Sequence, residues 1–284
     1  MRNLITSGLR KLVKSESKYA PGDRKATVVA VATVKGGVGK TTTAVNVAAA
    51  AAAIHGKRVL LIDLDAQGHC MTSLQAVVPK ADAAMVNEIL LDDDYREILD
   101  AAVSTEVEGL DVTLADAGLA EAEGRISQKI GKELLLRDAL VVTRTHYDLI
   151  FIDCPPNKGN LTLNALLAAD QVLIPTDLSP LSVQGADELV GTVLTVRERL
   201  HHELEVLGVV LTRVDGRTVT LNDEVRQTIE DAWGDLVLEQ HIGINTRLAQ
   251  AQMEGQPIFE YDPKSRGAEH YGRLTEEILA RLER

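Results

Sequence analysis

The chain has 284 residues, 45% of them hydrophobic, with 42 acidic residues against 30 Lys and Arg and a formal net charge of −12. That length holds one large α/β domain or two small ones. The acidic surplus excludes bulk attraction to DNA or to an acidic membrane, so any such binding needs a local basic patch. Aromatics are only 3%, which argues against base stacking. The cysteines, Cys70 and Cys154, form no CxxC pair, so a reducing cytoplasm is expected.

Residues 1–25 stand apart. They carry Arg2, Arg10, Lys11, Lys14, Lys18, Arg24 and Lys25 against Glu16 and Asp23. Leu4, Ile5, Leu9, Leu12 and Val13 recur at helical spacing, so the segment reads as a basic extension holding a short amphipathic helix that PGD at 21–23 ends. From residue 26 to 284 the pattern reads as a single domain. Buried strands are expected over 26–34, 57–65, 147–156, 171–178 and 204–215. Helices are expected over 41–55, 85–101, 125–146, 160–169, 182–202, 221–233 and 268–283. Continuous apolar strands alternating with helices predict an α/β fold with a doubly wound, mostly parallel sheet. The longest uncharged run, TTTAVNVAAAAAAI at 41–54, is too short to span a bilayer.

The first strand runs into TVKGGVGKTT at 33–42. The common pattern GxxxxGK[ST] needs a glycine where this chain has Val34, but GKT is kept and Lys35 is added. Gly36, Gly37 and Gly39 let the backbone turn and bring N–H groups, that of Val38 included, near phosphate oxygens. The helix that follows aims its positive end at the same anion. Lys40 is placed for the β- and γ-phosphates and Thr41, followed by Thr42, for Mg2+. LLIDLDAQG at 60–68 ends a strand with Asp63 and Asp65 on one side, and IFIDCPP at 150–156 ends another with Asp153. Carboxylates at strand ends beside such a loop suit a metal shell and a water-orienting group.

These motifs resemble those of the ParA/MinD ATPases. KGGVGKTT matches their deviant Walker A motif, DLDAQG their DxDxQG motif and IFIDCPP their Walker B strand. The resemblance implies that ATP and Mg2+ are the cofactors and that Lys35 reaches across a nucleotide-sandwich homodimer. It further implies that Asp65 positions the attacking water, that Asp63 supports Mg2+ or its water shell and that Asp153 lies near the ion, through water. PTDLSPLSVQGADEL at 175–189, LGVVLTRVDGRT at 207–218 and the stretch 242–278 are similar to the ParA/Soj branch. That likeness makes Arg213 a base contact. It places Arg217 and Arg247 on a surface that holds nonspecific double-stranded DNA, which Lys264, Arg266 and Arg273 extend. Ala66, Gly243 and Gln250 depart from the family pattern in the switch loop and on the adenine side.

The implied function is a partition ATPase. ATP drives dimerisation, the dimer binds the nucleoid, and a ParB-like partner on a plasmid, chromosome origin or protein assembly stimulates slow hydrolysis. The alternative is a MinD-like ATPase cycling on a membrane, for which residues 1–25 are the candidate anchor because the C-terminal RLTEEILARLER is mixed in charge. An iron–sulfur role is disfavoured, since neither cysteine is placed to bridge a cluster.

Overall fold

The structure, a computed structural model, describes residues 17–92, 97–113, 115, 117–200, 202–215 and 219–284, with the backbone alone from 219 to 224. Five runs rich in Val, Ile and Leu form consecutive parallel strands of a sheet: β1 (Thr27–Val31), β2 (Val59–Asp63), β5 (Leu149–Asp153), β6 (Gln171–Thr176) and the edge strand β7 (Glu205–Leu211). Each lies within a predicted strand and is shorter, because pairing stops where the chain turns into a loop. Two short strands, β3 (Ala102–Ser104) and β4 (Leu110–Thr113), complete the sheet in the order β3-β4-β2-β5-β1-β6-β7. All pairs are parallel except β3 with β4.

Helices cover both faces, as continuous apolar strands require. One face is packed by α1 (Lys40–Ala53), α2 (His69–Leu74) and the last helix, α11 (Arg266–Leu282). The alanines of α1 are buried nearly all round and let α11 approach closely. Tyr271 of α11 is buried there, its hydroxyl 3.2 Å from Thr43 Oγ1. The other face carries α3 (Val86–Leu91), α4 (Gly118–Ile126), α5 (Leu135–Ala139), α6 (Asn160–Ala168) and α7 (Pro180–Leu200). α8 (Val219–Trp233) packs Ile229 against Leu211 and Val237. Two further helices, α9 (Thr246–Glu254) and α10 (Ile258–Tyr261), lead into α11.

Two predicted helices are broken. Among the described residues of 85–101 only α3 is α-helical; its cap residue Asp92 is extended at ψ 138°, and a 3-10 turn lies at Ile98–Asp100. Over 125–146 the chain leaves α4, makes a turn with Gly131 at φ +70°, and returns as α5 and a 3-10 turn at Thr143–Thr145. A buried side chain holds that turn. Asn164 of α6 accepts from Leu136 N–H at 3.1 Å and donates to the carbonyls of Lys132 and Asn160 at 2.7 and 2.8 Å. Asn164→Ala leaves the Leu136 N–H and Lys132 carbonyl unpaired in the interior. It is expected to cost about 2–4 kcal/mol of stability, read by denaturant unfolding.

The predicted helix at the start falls on residues 1–16, outside the described residues. The rest of the basic stretch is laid along the domain. Tyr19 donates to Asp100 at 2.7 Å and Gly22 N–H to Thr145 Oγ1 at 2.7 Å. Lys18 and Arg24 form ion pairs with Asp100 and Asp148.

Candidate nucleotide site

The register of the sheet assembles the site. Asp63 and Asp153 are paired neighbours at the ends of β2 and β5, and Val31 at the end of β1 is paired with Asp153 from the other side. The chain leaving β1 therefore turns over this pair before entering α1. Gly37 and Gly39 both have φ +81°, a left-handed conformation that glycine adopts without penalty. α1 begins at Lys40, so its first N–H groups have no partner within the helix.

Lys40 is almost fully buried among carboxylates. Its Nζ lies 2.5 Å from Asp153 Oδ1 and 3.9 Å from Asp65 Oδ2. Burial pulls its pKa down, but the charge and hydrogen bond of Asp153 outweigh this and leave it raised. Thr41 Oγ1 donates to Asp153 Oδ2 at 2.7 Å. Asp63 is wholly buried and accepts from the N–H groups of Asp65 at 2.9 Å and Cys70 at 3.1 Å. Burial, then the Asp153 charge, push its carboxyl up to about 7. Asp65 Oδ1 accepts from Gln67 N–H at 3.0 Å, which fixes the turn and leaves Oδ2 facing Lys40.

Oxygen donors of Thr41 and Asp153 thus converge, with Asp63 behind them, which fits a hard cation such as Mg2+. The Cys70 thiol lies within this group, donating to Asp153 Oδ2 at 3.3 Å, but burial holds it protonated. Cys154 is also fully buried, its thiol pushed up to about 12 by burial.

Lys35 points elsewhere. Its Nζ is 2.7 Å from Ser179 Oγ, 2.9 Å from Ser182 Oγ and 3.7 Å from Asp177, and the side chain is one-third exposed. A cavity of about 600 Å³ runs from the glycine loop past Thr212 and Arg213 to Ile244, Asn245 and Leu248. That volume suits a nucleotide. Arg213 lies at its rim with its Nη1 on the Gly37 carbonyl at 2.8 Å.

None of the basic residues Arg247, Lys264, Arg266 and Arg273 of the C-terminal part lines this cavity. Arg247 in the first turn of α9 is half-exposed, 3.2 Å from Asp262, and donates to Gln250 at 3.1 Å. Lys264 and Arg266 are exposed on the segment that follows Asp262. Arg273 pairs with Glu269 at 2.7 Å. Arg217 lies outside the described residues.

Thr212, Ser179, Ser182 and Asp177 touch the loop and were not singled out by sequence reasoning. Their signal was position: they follow the C-terminal ends of β6 and β7, where open α/β sheets bind ligands.

A glycine loop between a central parallel strand and a helix, with acidic strand ends beside it, defines a P-loop nucleotide-binding protein. A family model described as an AAA domain matches residues 26–206. The chain is 42% identical over 254 residues to the sporulation initiation inhibitor protein Soj of Bacillus subtilis, covering 89% of this chain and 98% of that one. It is 40% identical over 256 residues to the chromosome partitioning protein ParA of Caulobacter vibrioides, covering 89% and 94%. Among solved structures it is similar to a cobyrinic acid a,c-diamide synthase from Mycobacterium smegmatis with bound ADP and magnesium. There the TM-score is 0.76 at 33% identity, over 91% of this chain and 96% of that one. A complex of a Cyanothece McdA variant with ATP shares the fold, with a TM-score of 0.78 at 21% identity over 92% and 97%. The chain belongs to the Soj/ParA family of ParA/MinD-type ATPases.

Proposed function

We propose that this protein is an ATP-driven partition switch. The observation that carries the reading is the opposed placement of two lysines in one loop. Lys40 faces the carboxylates at the loop's mouth, whereas Lys35 turns outward onto Ser179 and Ser182. Lys40 serves the nucleotide of its own subunit and Lys35 that of a second copy. The N–H groups of the loop and of α1 hold the phosphates. Thr41 and Asp153 hold Mg2+, and Asp63 orders its surroundings through the Asp65 and Cys70 N–H groups. Bound Mg2+ supplies charge neutralisation at the β- and γ-phosphates. Asp65 orients the water whose attack gives ADP and phosphate.

The ATP-bound homodimer holds nonspecific double-stranded DNA through Arg217, Arg247, Lys264 and Arg266, and a ParB-like partner speeds a slow basal hydrolysis. The segment 26–284 acts as one unit, with 1–25 as an appended basic arm, in the cytoplasm and on the nucleoid while ATP is bound. No helix among the described residues is long and apolar enough to cross a membrane, and α11 turns Tyr271, Leu274 and Ile278 into the core.

The test is binding to random-sequence duplex DNA across a salt series, with and without ATP, beside anionic liposomes. Binding is expected to need ATP and to weaken steeply with salt, the slope falling by about 0.9 for each phosphate contact removed. Arg217→Glu and Arg247→Glu are expected to lose it, as is Lys35→Ala, which keeps monomer nucleotide binding but forms less dimer. Liposome binding in place of DNA binding overturns the reading in favour of a membrane cycle.

A further inference from the structure

The glycine loop is gripped from outside its own strand and helix. Thr212 and Arg213 follow β7, and each bonds to one carbonyl of the loop. The Thr212 hydroxyl is 2.7 Å from the Val38 carbonyl and Arg213 Nη1 is 2.8 Å from the Gly37 carbonyl. The Thr212 hydroxyl also lies 3.1 Å from the Thr176 carbonyl. The Thr176 oxygen also accepts from Thr212 N–H at 2.8 Å, and the Val38 contact is the shorter of the hydroxyl's two, so its single proton goes to Val38. Thr212 is 2% exposed, so its bond is shielded from water.

Arg213 is held in an uncommon conformation. Its φ is +54°, the one positive φ outside glycine among the described residues. A left-handed arginine backbone is strained and persists where the surroundings impose it. Here it directs the guanidinium back over the loop.

The consequence follows from the geometry of the peptide unit. A trans peptide is planar, so its C=O and the next residue's N–H point in opposite directions, and the described chain has no cis bond. Holding the Gly37 carbonyl fixes the Val38 N–H, and holding the Val38 carbonyl fixes the Gly39 N–H. We propose that Thr212 and Arg213 are positioning residues that clamp two consecutive carbonyls of the loop outward, so that the Val38 and Gly39 N–H groups are aimed at the nucleotide's phosphates before it binds. This rests on the nucleotide reading above and alters one part of it. Arg213 acts through the loop and leaves the base to the wall formed by Ile244, Asn245 and Leu248.

The test compares Thr212→Val, Thr212→Ser and Arg213→Gly in the full chain, with ATP and GTP titrations and the carbonyl-carbon NMR shifts of Gly37 and Val38 without nucleotide, which report whether each carbonyl accepts a hydrogen bond. Thr212→Val keeps the shape and loses the hydroxyl. It is expected to weaken ATP about three- to tenfold, to leave the ATP-to-GTP preference unchanged and to move the Val38 carbonyl shift upfield. Thr212→Ser is expected to restore wild-type affinity and shift. Arg213→Gly removes both the guanidinium and the backbone strain, so affinity falls and the Gly37 carbonyl shift moves while the melting temperature does not fall. Wild-type affinity and carbonyl shifts in Thr212→Val and Arg213→Gly overturn the clamp, as does a Thr212→Ser as weak as Thr212→Val. A changed ATP-to-GTP preference with unchanged carbonyl shifts makes Arg213 a base contact instead. If the wild type binds no ATP, or Lys40→Ala binds it equally well, the nucleotide reading fails. The carbonyl shifts still read the clamp, because they need no ligand.

Discussion

Lys40→Ala is expected to abolish ATP binding at concentrations that saturate the wild type, measured by titration of a fluorescent nucleotide. A charge-assisted hydrogen bond contributes about 1.5–3 kcal/mol, which is about 10- to 150-fold in affinity. The loss here is larger, because the lysine also balances the carboxylates that would face the phosphates. Lys40 lies 2.5 Å from Asp153 and 3.9 Å from Asp65, and its charge lowers the pKa of Asp63. Without it, the phosphates meet three acids and no cation from this loop's end.

The same substitution should destabilise the protein free of nucleotide, and the sign of its pH dependence can be worked out. Asp63 is raised to about 7 in the folded chain, against an ordinary aspartate value of about 3.9. Between those values the folded state holds a proton that the unfolded state has released, so stability falls as pH rises through that window. Removing Lys40 takes away a charge that lowers the Asp63 carboxyl, so it raises that group further and extends the penalty upward. Truncating one partner of a buried pair costs about 3–5 kcal/mol. The deficit of Lys40→Ala is therefore expected to be smaller at pH 5 than at pH 8, read by denaturant unfolding at both. ATP binding at wild-type affinity, in a variant that still folds, would remove the phosphate role from this loop.

Part of this molecule could be read from local sequence and part could not. The central strands were legible because VVAV, VLLID and LIFID are buried on both faces and advertise it in consecutive residues. The glycine loop and Asp153 were legible because short-range spacing carries their geometry. β3 and β4 escaped because AVS and LDVT are too short to show a period, and only the pairing of β4 with β2, and of β3 with β4, makes them strands. The helix expected over 125–146 failed because its apolar spacing ignored a turn that Asn164 holds from a later helix. The outward placement of Lys35 and the clamp on Gly37 and Val38 join residues 144 to 176 positions apart. Such contacts exist only once β6 and β7 lie beside β1. A motif therefore named the loop's ligand class, while the residues that set its shape came from the far side of the fold.

Asp65→Ala carries the second large effect. In the proposed reaction Asp65 is the carboxylate nearest the phosphate end that is not spent on the metal side. Oδ1 is tied to Gln67 N–H at 3.0 Å, so Oδ2 is held toward the mouth of the loop, 3.9 Å from Lys40. A positioned group that orients or deprotonates water contributes about 10²- to 10⁴-fold. Hydrolysis should fall by that order, while ATP affinity stays within a few-fold because Lys40 and the loop N–H groups are intact. With hydrolysis blocked, ATP-bound subunits should accumulate as dimers, seen as a doubled mass by light scattering. Alanine also removes the tie to Gln67, so Asp65→Asn is the companion variant. Its side-chain oxygen can keep that hydrogen bond while its amide cannot take a proton. Loss of phosphate release in both variants, with dimers trapped in both, assigns the effect to the carboxylate's chemistry. A monomer with ATP in Asp65→Asn, or phosphate release at the wild-type rate, would move the water-orienting role away from Asp65.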